Sequence, residues 1–171
     1  MTNKGIETRL TFEIVNSVGM FNKLLEEYSD FDKQHLNPRF ALNCAITTWH
    51  LSDWTFVEFY QNDERFQDSI IVDKKGQEWK FKGIAKYQSY LIKECPELEY
   101  MRLVANGAKH CVLNDKGRKE KACTQKGDYS SDYNRKQYNV SRFIIDVNTT
   151  IKLDFEETLL TTIKFWEKML L

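Results

Sequence analysis

The segment from Pro38 to about Tyr60, PRFALNCAITTWHLSDWTFVEFY, constrains this chain most, because apolar side chains fall on nearly every side of it. Read as a helix, it carries Phe40, Leu42, Ile46, Trp49, Leu51, Trp54, Phe56, Val57 and Phe59. A helix that is greasy almost all round has no face to give to water and belongs in the middle of a bundle. Asn37-Pro38 suits its start, since proline presets the first helical position. The polar residues Asn43, Thr47, His50 and Asp53 must then find partners inside the protein.

Other helices have to surround that one. Residues 10–30 place Phe12, Val15, Val18, Phe21, Leu24, Leu25 and Tyr28 at spacings of three and four, which predicts an amphipathic helix. Thr11 is a candidate cap for it, and Gly19 weakens its middle. A further helix runs from about Ile84 to Glu94, where Cys95-Pro96 breaks it. The period resumes after the proline, gathering Leu98, Met101, Val104, Ala105, Ala108, Cys111 and Val112 on one side. Phe155, Leu159, Leu160, Ile163, Trp166 and Met169 form a last stripe, with Asp154 as N-cap and Glu156 and Glu157 in the first turn.

Between these helices the pattern changes. SIIVD, KKGQ and EWKFK fit a hairpin around Gly76 or a long loop. Residues 114–137 hold seven basic and four acidic side chains and almost nothing apolar, which predicts a polar, mobile loop. YNVSRFIIDV and IKLDF read as two strands about an NTT turn. The expected fold is mainly α: a bundle of four to five helices with one or two small β-hairpins, in one domain over residues 1–171.

The 25 basic and 25 acidic residues balance, so no net field draws the whole chain to nucleic acid or an anionic membrane. No apolar run reaches the roughly 18 residues that span a bilayer, and no membrane partner is expected. The first residues lack the apolar core of a signal peptide. Cys44, Cys95, Cys111 and Cys123 form no C-x-x-C pair, which points to reduced thiols in a cytoplasm.

Two constellations could carry chemistry. In A-N-G-A-K-H, residues 105–110, Asn106 and His110 are one helical turn apart, and Arg102 and Lys109 share their face. Gly107 costs a helix about 1 kcal/mol against alanine, so close approach of a helix or ligand is expected there. A histidine held by an amide can act as general acid or base near neutral pH. In H-L-S-D-W, residues 50–54, Asp53 could orient His50 while Trp49 and Trp54 shield both, or the two could be a satisfied polar pair in the core. His35, His50, His110 and Asp53 would make an adequate metal set, but no metal-ligand spacing supports one, so neither metal nor cofactor is expected. Lys116, Arg118, Lys119, Lys121, Tyr129, Tyr133, Arg135 and Lys136 could touch RNA by charge and stacking, although a solvated loop is the plainer reading.

The combination of H-x-x-D-W with A-N-G-x-K-H and a terminal F-W helix resembles a group of small bacterial and phage proteins with no established function. The second motif also resembles, more distantly, the HEPN superfamily of helical ribonucleases found in toxins and phage defence. There an arginine precedes a polar residue, three further residues and a histidine. Asn106 and His110 match the end of that motif, Ala105 stands at the arginine position, and Arg102 lies one turn early. The resemblance implies RNA as ligand, a homodimer, and metal-independent cleavage with His110, Asn106 and Arg102 central and Lys109 as a second cation; His50 and Asp53, from the other motif, are supporting candidates. The competing expectation is a non-enzymatic module for a protein partner in phage–host conflict or regulation, with no cleft and an exposed apolar or aromatic patch.

Overall fold

The computed structural model describes residues 11–109, 120–130, 134, 137–148 and 150–171. Five helices are present among them: α1 (Ser17–Lys33), α2 (Pro38–Thr55), α3 (Gly83–Glu94), α4 (Glu97–Lys109) and α5 (Phe155–Leu170). β1 (Ser69–Val72) and β2 (Glu78–Phe81) form an antiparallel hairpin. β3 (Lys121–Gln125), β4 (Arg142–Asp146) and β5 (Lys152–Asp154) form an antiparallel sheet in that order. The mainly α expectation with small β elements holds. No described helix is long and apolar enough to cross a membrane.

α2 packs against each of the other four helices, so the apolar segment does occupy the middle. Apart from Trp49 and Leu51, however, its buried side chains are small. Ala41, Cys44, Ala45, Thr47, Thr48, Leu51, Ser52 and Thr55 are buried, whereas Leu42, Val57 and Phe59 are exposed. Small residues let neighbouring helices approach closely, and buried hydroxyls can be satisfied within their own helix. Ser52 Oγ donates to the Trp49 carbonyl and Thr55 Oγ1 to that of Leu51, each at 2.7 Å. The regular helix ends at Thr55 rather than Tyr60, and Phe56–Tyr60 widens into a π-helical turn. There Phe56 and Tyr60 turn onto Tyr87 of α3, with Tyr60 stacked on it at 4.7 Å and Phe66 edge-on at 5.2 Å.

The first helix begins later than its apolar spacing predicts. Asn16, not Thr11, is the cap, accepting from the Gly19 amide at 2.8 Å, which puts Gly19 in the first turn. Phe12 lies outside the helix, 95% exposed and at φ 53°, and Val15 is also exposed. The Ser17 amide is held by Glu58 Oε2 from the π-turn at 2.6 Å. α3 is started in a similar way: Lys82 gives no side-chain cap, and Asp68 Oδ1 accepts from the Gly83 amide at 2.8 Å. A Cβ on Gly83 would sit 1.8 Å from the Phe66 carbonyl oxygen, so only glycine fits there.

Pro96 separates α3 from α4 as its chemistry requires, and Asp154 caps α5 through the Glu157 amide at 3.1 Å. α5 buries Phe155, Leu159, Ile163 and Trp166 against a core that includes Phe21, Leu24, Leu91, Leu98 and Met101. The sheet closes one side of that core through Ile145. Residues 114–137 are not all loop, since β3 pairs with β4 from Lys121↔Asp146 to Gln125↔Arg142. That register explains a strand of polar residues: it is an exposed edge, and its partner β4 supplies the buried side chains.

Candidate functional site

His110, the centre of the expected site, lies outside the described residues, as do Cys111, Lys116, Arg118, Lys119, Tyr133, Arg135 and Lys136. The remaining members can be placed. Arg102 is half-buried, and its guanidinium is committed to Glu99, with Nε donating to Oε2 at 2.7 Å and Nη2 to Oε1. The same guanidinium lies 5.9 Å from the Trp49 ring centroid, so α4 meets α2 beside the residue that precedes His50. The two sequence motifs therefore share one helix pair. A cation bonded twice to a carboxylate is largely neutralised and has little charge left for a phosphate.

Asn106 is half-buried and Lys109 is exposed in the last turn of α4. The glycine between them does not serve close packing, because a Cβ on Gly107 meets nothing within 4 Å among the described residues. Ala108, expected on the inner face, is exposed.

His50 and Asp53 do not form the shielded pair expected of them. Both are exposed, and no hydrogen bond joins them. Trp49 is buried, with the Arg102 guanidinium of α4 over its ring. Gln88 of α3 is the partner of Asp53, its Nε2 donating to Asp53 Oδ1 at 3.0 Å and to Ser52 Oγ at 3.1 Å. Partial burial pushes the Asp53 carboxyl above the usual range, offset in part by nearby His50 and by Gln88. Burial thus disfavours the charged carboxylate, and no hydrogen bond joins it to His50 as an oriented acid–base pair would require.

Among the described residues no group of three or more His, Cys, Asp and Glu side chains is arranged to hold a metal. His35 sits in the α1–α2 connector, and His50 lies beyond 12 residues of α2, about 18 Å of helix.

Two further features lie outside both motifs. One is an open cleft of about 1550 Å³ between the α1–α2 connector and the start of α5. It is lined by carboxylates (Asp32, Asp154, Glu156, Glu157) and amides (including Asn37 and Asn139), with Arg142 paired to Asp154 at 3.4 Å. The interaction reading expected no cleft, so its presence departs from that expectation. None of Arg102, Asn106, Lys109, His50 or Asp53 lines it, and its four carboxylates share the wall with Lys33, His35 and Arg142. No apolar periodicity or motif marked these residues as neighbours in the sequence.

The other feature is the β1–β2 hairpin, whose strands are largely exposed on both faces. Ile71 pairs with Trp79 and Ser69 with Phe81, which puts Ile71, Trp79 and Phe81 on one face. They remain 49%, 57% and 36% exposed. Ile70 and Val72 on the other face are exposed as well. The alternation in SIIV and EWKF signalled strands, but not that neither face would meet the bundle. The tip is built by Asp73, which accepts from the amides of Lys75 and Gln77, and by Gly76 at φ 78°. Its base is tied by Asp68, which is 2.9 Å from Lys80 Nζ while holding the start of α3.

No protein-family model, curated protein or solved structure matches the chain.

Proposed function

We propose that this domain is a non-enzymatic protein-interaction module and that the β1–β2 hairpin is its working surface. The observation that carries the reading is the concentration of Ile71, Trp79 and Phe81 on one exposed face of a ribbon tied at its base. Contiguous exposed apolar groups of this kind mark association surfaces in folded proteins, and tryptophan is enriched where binding energy concentrates. A two-stranded ribbon has little stability of its own, so keeping such residues on it needs a reason other than folding. Cleavage of RNA has weaker support, since it rests on His110, and Arg102 already serves Glu99.

The test compares Trp79→Ser with His110→Ala, each tagged and purified from the native host with whatever binds it. Wild-type protein and His110→Ala are expected to retain one stoichiometric protein partner, and Trp79→Ser to lose it by at least tenfold. Retention by Trp79→Ser would refute the hairpin as working surface. RNA cleavage that vanishes in His110→Ala would restore the ribonuclease reading.

A further inference from the structure

If the hairpin is the working surface, its backbone also limits which partner it fits, and the identity of that partner rests on the interaction reading. Asp73 donates its amide to the Gln77 carbonyl at 3.0 Å, so Asp73 and Gln77 are a hydrogen-bonded pair of the ladder. Such pairs alternate with non-hydrogen-bonded ones along an antiparallel ribbon. Counting from that bond, Trp79 and Phe81 direct their backbone groups inward to β1. Glu78 and Lys80 direct their amides and carbonyls outward, along an edge to which no further strand is paired among the described residues.

We infer that β2 pairs antiparallel with β2 of a second copy of this chain, about a two-fold axis through Trp79. In that register Glu78 of each copy lies opposite Lys80 of the other, and each such pair exchanges two backbone hydrogen bonds. Both ends of the short strand therefore set an opposite charge against its partner, which fixes direction and register together. The two Trp79 residues meet at the axis as a non-hydrogen-bonded pair, the closer of the two kinds, and pack their rings on the same face. β1 offers no equivalent, because Ser69–Val72 holds no charge to set a register. The existing contact of Lys80 with Asp68 does not oppose the pairing, since both side chains are more than half exposed and such surface pairs are weak.

The experiment is a charge exchange read by sedimentation equilibrium at low salt. The wild-type chain is expected to reach the mass of two chains reversibly with rising concentration. Glu78→Lys and Lys80→Glu each set like charges opposite one another in the self-pair, and each is expected to weaken dimerisation at least tenfold. Mixing the two variants sets opposite charges across again, and a one-to-one heterodimer is expected at near wild-type affinity. The recovery in the mixture also shows that both variants are folded. A wild-type monomer at every attainable concentration, or singles that dimerise undiminished, would overturn the inference. So would a mixture that stays monomeric. If the wild type is monomeric but still retains a different protein through Trp79, the second copy is excluded and the interaction reading stands. If it retains nothing, both fall.

Discussion

Tyr87 and Thr55 lock α3 to the end of α2, and the sign of one substitution in two backgrounds tests how. Both residues are fully buried, and the Tyr87 hydroxyl donates to Thr55 Oγ1 at 3.0 Å while Thr55 donates onward to the Leu51 carbonyl at 2.7 Å. Tyr87→Phe removes the first bond but leaves the Thr55 donor satisfied, so the cost should be about 0.5–1.5 kcal/mol. Thr55→Val keeps the branched shape yet strands a buried phenol without an acceptor, which should cost about 1–3 kcal/mol. Once the valine is present, the phenol has nothing to lose, and adding Tyr87→Phe should be neutral or stabilising. With a slope of about 2 kcal/mol/M, Thr55→Val should lower the urea midpoint by about 1 M, and the double variant should recover part of it. Urea unfolding of all four proteins, followed by tryptophan fluorescence, measures the cycle. If Tyr87→Phe costs the same in both backgrounds to within about 0.5 kcal/mol, the two hydroxyls are not coupled and the reasoning fails.

Two glycines should respond in opposite directions, and thermal unfolding reads both. Gly83→Ala drives a methyl group into the Phe66 carbonyl and should lower stability by about 3 kcal/mol or more, whereas Gly107→Ala on an open helical surface should raise it by about 1 kcal/mol. The thiols set the alkaline limit. Burial pushes Cys44 up to about 12 and Cys95 up to about 11, from an unfolded value of 9.0. Above pH 9 the unfolded chain therefore releases protons that the folded one keeps, so stability is full below that pH and falls as pH rises toward 12. Denaturant titration from pH 8 to 11 should show this loss with a shallower slope in Cys44→Ala, and an unchanged slope would count against it. Peptide mapping after maleimide treatment at pH 7.5 should find exposed Cys123 modified while Cys44 and Cys95 stay protected until urea is added.

The helices were legible because their signals are local. Apolar spacing, Pro96 and the Asp154 cap each act within a turn or two, and α3, α4 and α5 follow them closely. The start of α1 was misread because Phe12 and Val15 continue the apolar spacing, while Asn16 Oδ1 captures the Gly19 amide and ends the register there. β3 was hidden for a different reason. A polar edge strand depends on its neighbour for both hydrogen bonds and burial, so Lys121–Gln125 alone cannot announce it. The site was the least legible part. Helical geometry correctly groups Arg102 with Asn106 on α4, but whether a guanidinium is available depends on Glu99, and whether His50 is shielded depends on which way Trp49 faces. Those outcomes belong to packing between helices, which one-dimensional spacing does not encode.

Glu58 and Asp68 give the bundle an unusual wiring. Each reaches from an irregular stretch to the leading amide of a helix elsewhere in the chain, Glu58 across 41 positions and Asp68 across 15. The leading amide of each helix thus finds its acceptor outside the neighbouring sequence. Opening the stretch between Phe56 and Gly83 should consequently fray the beginnings of α1 and α3 together, although 66 residues separate Ser17 from Gly83. Deuterium uptake at those two amides would then report on a single event, the release of the aromatic corner at which α2 ends.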